Sequence, residues 1–166
     1  MTHIEFPMVV VPPAEGGPTY DGFLQWVENV MQVPGEAWPP TDAIFQTVYC
    51  QALNLAYDGL ATVPSNCTWT SVYAQAVYNL GGAILVEYAQ DNPNSTYWQD
   101  LRNKLNINSF IPGFINQAHD QVTGEGTYIL KQLEYLTLWG LQLIKTPWGR
   151  AYLAFAGQWG PIWGLT

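Results

Sequence analysis

Apolar residues recur at helical spacing in several stretches of this chain, each cut off by proline or glycine, and that pattern restricts it to a fold of short helices. From Tyr20 to Gln32, Phe23, Trp26, Val27 and Val30 share one face, and Pro34-Gly35 supplies the stop. Thr41 is the expected N-cap of a second helix, about Asp42 to Tyr57, with Ile44, Phe45, Val48, Ala52, Leu55 and Ala56 on its apolar side. Gly59 and Pro64 close it. A third helix, about Trp69 to Gln90, aligns Val72, Ala76, Val77, Leu80, Ile84, Leu85 and Tyr88. Gly81-Gly82 at its centre costs about 1 kcal/mol per glycine against alanine, which points to close approach of a second helix or to a bend. A short helix over about 96–105 carries Trp98, Leu101 and Leu105.

Between these helices and the C-terminal ones, residues 107–129 lose helical periodicity. They contain Pro112 and three glycines, with strand-like Phe114-Ile115 and Thr127-Tyr128-Ile129 on either side of a polar turn. An excursion of about 20 residues in a compact domain is usually functional. Helix resumes over 130–145, breaks at Thr146-Pro147 and continues over 148–157. The expected class is therefore all-α, an antiparallel helical bundle with an extended hairpin-like loop insertion (about 107–129) and extended N- and C-terminal arms. Residues 1–18, with Met8-Val-Val-Val11 followed by PPAEGGP, form the first arm, 19–158 the single helical domain, and 159–166 an aromatic tail. No internal repeat occurs.

Charge is scarce. Charged residues make up 11% of the 166, less than half of the usual share of about 25%, whereas aromatics reach 14% with 8 Trp and 10 Tyr. Aromatic enrichment with Lys and Glu depletion is the composition of interface cores, so surface hidden against partners is the favoured reading over a monomer faced with Gln, Asn and Thr. Residues 1–101 contain ten acids and no Lys or Arg, and the net charge is −8. Such a surface repels nucleic acid, whose recognition requires basic side chains on phosphates. An acidic wall past which DNA slides without sticking is compatible with it.

A search for chemistry yields little. Cys50 and Cys67 have no metal-ligand spacing and read as buried free thiols. The start, MTHIEFPMVVV, has no basic region and is not expected to be a secretory signal, and the longest uncharged stretches, such as 151–166, are interrupted by Gly, Gln and Pro, so none is expected to span a membrane. His119 stands beside Asp120, but sequence neighbours seldom orient one another as base and partner. Gly124-Glu-Gly126 lacks the third glycine of a dinucleotide fingerprint. Glu87 and Asp91 lie four apart and read as an exposed acidic helix end rather than an acid–base pair. The expectation is no enzyme, no cofactor and no bound metal.

What remains is the aromatic end. Trp148, Tyr152, Phe155 and Trp159 fall at i, i+4, i+7 and i+11, one helical stripe, and the first three are expected to face the core. Ile162 and Trp163 follow between glycines and a proline, and want a pocket that a neighbouring subunit can supply.

Two stretches, Val122-Thr-Gly-Glu-Gly-Thr127 and Leu141-Gln-Leu-Ile-Lys-Thr-Pro-Trp-Gly-Arg150, set in this order of helices, extended loop and closing helix, resemble the head-tail connector (adaptor, head-completion) proteins of tailed bacteriophages. The first is similar to their polar turn-and-strand segment and the second to their TPxG closing helix. The likeness runs loosely over about 20–158 and is specific only in the last fifty residues. It implies a structural virion protein at the head-tail junction, assembled in the bacterial host cytoplasm. The partners implied are copies of itself in a ring (commonly a dodecamer), the phage portal protein and tail or tail-adaptor proteins, with DNA passing through and no membrane. On this reading Trp148, Arg150, Tyr152, Trp159, Ile162 and Trp163 are candidate subunit or portal contacts, and His119, Asp120 and Glu125 belong to a channel- or tail-facing loop. The family's pattern does not cover the proline-rich arm or the aromatic tail. The alternative from composition is an aromatic-rich helical module that binds carbohydrate or peptide.

Overall fold

The computed structural model describes residues 16–38, 43–62, 71–108, 118–119, 124–125 and 138–159. Over these the chain is all-α. Its helices are α1 (Tyr20–Asn29), α2 (Ala43–Leu55), α3 (Val72–Tyr88), α4 (Tyr97–Lys104), α5 (Leu138–Ile144) and α6 (Pro147–Trp159), with 3-10 turns at Gly35–Ala37 and Asp58–Thr62. Eleven of the 17 residues of α3 are buried, so it is the central helix and the others are laid around it. It packs chiefly against α2 and α6, and also against α1 and α4. The paired glycines lie where α1 comes close. A side chain on Gly81 would stand 2.8 Å from the Phe23 ring, and one on Gly82 2.7 Å from Trp26. The helical cost of the glycines thus admits two aromatic rings of α1.

The helix ends follow local hydrogen-bond chemistry. Thr19 and Ser71 cap α1 and α3, accepting from the amides of Gly22 and Ala74 at 3.0 Å each. α1 stops at Asn29, three residues before the expected end at Gln32, because its last turn widens. Gln32 takes a φ of 55°, the Met31 and Val33 amides reach back to the Trp26 and Val27 carbonyls, and both side chains turn into the core. Val30, expected on the apolar face, is left 55% exposed.

Asp91 is no exposed acid. Its carboxylate accepts from the amides of Trp98 (2.8 Å) and Gln99 (3.0 Å), doing for α4 what Thr96 does not. Arg102 lies 3.7 Å from the same carboxylate and donates to the carbonyls of Val86 and Ala89, closing the end of α3. α4 ends in a Schellman motif with Asn106 at φ 56°, the Ile107 amide bonded to the Arg102 carbonyl at 3.0 Å and Ile107 buried. Trp98, fully buried, donates its indole N–H to the Ala37 carbonyl at 2.9 Å and pins the loop after α1.

Within 107–129 the described residues form one short antiparallel pairing, Ala118 opposite Glu125 and His119 opposite Gly124. The strand positions expected at 114–115 and 127–129, the N-cap Thr41, Cys67, the first arm through residue 15 and the helix expected over 130–137 lie outside the described residues.

Candidate interaction surfaces

The Thr-Pro-Trp-Gly-Arg motif is a helix corner. Thr146, 1% exposed, accepts from the Gly149 amide at 2.8 Å and donates to the Leu143 carbonyl at 3.3 Å. Pro147 occupies the first helical position, where no amide is required. A side chain on Gly149 would overlap the Leu143 carbonyl, so glycine lets the two helices meet. Arg150 reaches back to the Ile144 carbonyl at 2.8 Å and covers the end of α5.

Placement corrects part of the expected contact set. Tyr152 is fully buried, with its hydroxyl 3.4 Å from the Leu55 carbonyl, and presents no surface to another chain. Trp148 and Phe155 are half-buried against the core. Arg150 is exposed, yet its guanidinium serves α5 of the same chain. His119 and Glu125 fall in the short pairing, opposite Gly124 and Ala118 respectively, and so are not paired with one another. Asp120, Ile162, Trp163 and the side chain of Trp159 lie outside the described residues. Cys50, expected to be buried, is a free and exposed thiol on α2.

Two surfaces stand out that the motifs did not single out. The first is an apolar groove made of two adjoining hollows of about 340 and 310 Å³, bounded by α2, the end of α3 and α5. Ile44, Thr47, Gln51 and Leu55 line it from α2, Tyr88 from α3 and Trp139 from α5. None of these side chains is charged, and Leu55 and Tyr88 are 46% and 60% exposed. Leu55 and Tyr88 were expected to pack inward with the rest of their stripes. The second is a polar cleft of about 600 Å³ between the start of α1 and the first half of α3, with Trp26 in its wall.

No family model, curated protein or solved structure matches the chain. The site must therefore be read from its own chemistry. Burial pushes up the phenols of Tyr73, Tyr97 and Tyr152, and that of Tyr49 up to about 12, with Tyr78, Cys50 and Tyr73 adding to the last. These hydroxyls stay protonated near neutral pH, and those of Tyr73 and Tyr152 donate to the Leu53 and Leu55 carbonyls at 3.5 and 3.4 Å. Glu87 is also raised, by burial first, with Lys145 opposing. A raised carboxyl is what a general acid requires, but Glu87 lines neither surface. Among the described residues, no group of three or more His, Cys, Asp or Glu could hold a metal ion, and no helix is long and apolar enough to cross a membrane.

Proposed function

We propose that the chain is a structural subunit that is completed by neighbouring protein, and specifically a head-tail connector (adaptor) of a tailed bacteriophage, forming a ring below the portal that continues the DNA channel. The observation that carries it is the uncharged groove of α2, α3 and α5, with Leu55 and Tyr88 left open to water. A large aliphatic and a large aromatic side chain, both lining the groove and already about half buried, would each gain on the order of 1 kcal/mol when covered. The scarcity of charge across the whole sequence supports the same reading.

The phage assignment rests on the resemblance of the Val122–Thr127 and Leu141–Arg150 stretches. In such a ring, a net charge of −8 on each subunit gives the channel a negative potential past which DNA moves without adhering.

Co-assembly tests both levels. The chain is mixed with portal-protein rings of tailed bacteriophages, and the products are read by light scattering and electron microscopy. A portal-bound ring is expected, and Leu55→Lys should abolish it while the monomer keeps its melting temperature. Because connector subunits are often monomeric until they meet the portal, a monomer alone decides nothing. Failure to join the portal removes the phage reading, and assembly untouched by Leu55→Lys removes the groove from it.

A further inference from the structure

We propose that the cleft between α1 and α3 is a binding site for a neutral, hydroxyl-rich ligand of the oligosaccharide class. The inference is independent of the ring, since the cleft and the groove lie on different elements apart from α3.

The cleft is built before any ligand arrives. The Tyr78 hydroxyl accepts from the Thr19 amide at 3.0 Å and donates to the Thr19 carbonyl at 3.2 Å, so it fixes the start of α1 against α3. A side chain on Gly22 would overlap that hydroxyl. The Gly16 carbonyl accepts from the Ser71 amide at 3.0 Å, and Gly16, at φ 84°, turns the chain at the rim. A volume of about 600 Å³ falls within the usual range for small-molecule sites, about 300–1,000 Å³.

The lining selects the ligand. Among the described residues no charged side chain borders the cleft, so an ionic ligand would lose hydration and gain no counter-charge from them. The Gln25 side-chain amide and the Asn79 Oδ1 border it, and a wholly apolar ligand would bury them without partners. Asn79 gives its NH₂ to the Gln75 carbonyl at 2.8 Å, which leaves its Oδ1 as an acceptor. Trp38 and Trp98 donate their indole N–H groups to the Val33 and Ala37 carbonyls, whereas the indole of Trp26 has no acceptor among the described residues. The wall therefore offers an aromatic surface, an indole donor and side-chain amides. A sugar carries the complement of all three in its C–H faces and its hydroxyls. A peptide is less well served, because two helices present no open main-chain edge for it to extend.

The test is a titration of the full ¹⁵N-labelled chain with maltohexaose, cellohexaose and chitohexaose, and with an uncharged Gly-Ser-Asn peptide, followed by amide shifts and tryptophan emission. At least one sugar is expected to give saturable shifts confined to residues 16–26 and 75–79. Gln25→Ala and Asn79→Ala should each weaken it about tenfold, the loss of one good hydrogen bond. Gln25 is exposed, so that variant keeps its fold even where Asn79→Ala does not. The proposal is overturned by the absence of saturation with every sugar at millimolar concentration, by shifts centred elsewhere, by variants that bind as the parent does, or by a response to the peptide alone.

Discussion

The two surfaces share α3 and differ in almost everything else. Its first half lends Gln75 and Asn79 to the cleft, where Thr19, Gln25 and backbone-baring glycines supply hydrogen-bonding groups. Its far end lends Ile84 and Tyr88 to the groove, where hydrophobic contact is the main thing on offer. Directional groups discriminate among small molecules, whereas non-directional apolar area rewards coverage by something broad. One buried helix thus supports two kinds of recognition, separated by the glycine pair on which α1 rests.

The separation can be broken from either side. Tyr152→Ala should have the largest effect, about 3 kcal/mol or more lost in urea unfolding, because it empties a core site beneath the end of α2. Tyr152→Phe should lose less than about 1 kcal/mol, since only the 3.4 Å hydroxyl contact goes. A Tyr152→Ala protein as stable as the parent would mean that α6 does not hold up the groove. Gly82→Val should cost about 1–3 kcal/mol by overpacking against Trp26 and Met31. Its amide shifts should gather around the cleft and spare Tyr88 and Trp139; equal disturbance at both surfaces would show that they are not independent.

The smallest effect concerns Glu87, beside Tyr88 at the groove end of α3. Burial raises its pKa above the ordinary 4.5, so the folded state holds the proton more tightly than the unfolded state. Its contribution is fully present below the unfolded value and is lost as pH rises through the folded one. Relative to Glu87→Gln, the parent should therefore weaken between about pH 4 and neutrality, by about 0.5 kcal/mol or less. Urea midpoints at stepped pH measure this, and a parent that gains on the variant over that range would show that Lys145 outweighs burial.

Much of the helical plan was legible because apolar spacing and the Pro and Gly stops act locally. α2, α3 and α4 start and end within about three residues of where spacing puts them. The rest depended on contacts that spacing does not encode. Periodicity cannot say that Gln32 adopts a left-handed φ and ends α1 early, nor that Asp91 caps a helix six residues downstream. It reports which residues share a face but not which faces find a neighbour, and so Leu55 and Tyr88 read as core when they are bare. The same limit applied to Cys50. The Thr146–Arg150 motif was conspicuous in sequence, yet its individual chemistry became readable only when each residue could be matched to a carbonyl or amide of α5. The cleft was invisible, because Gln25, Gln75 and Asn79 are ordinary surface residues until two helices bring them together.

The corner between α5 and α6 has a mechanical corollary. Thr146, Gly149 and Arg150 fasten the start of α6 to the end of α5 from three sides, leaving no slack at the joint. Since α6 is also packed along α3, the joint ties the placement of α5 to the core. The position of Trp139, and with it the width of the groove, is therefore set by how α6 sits on α3.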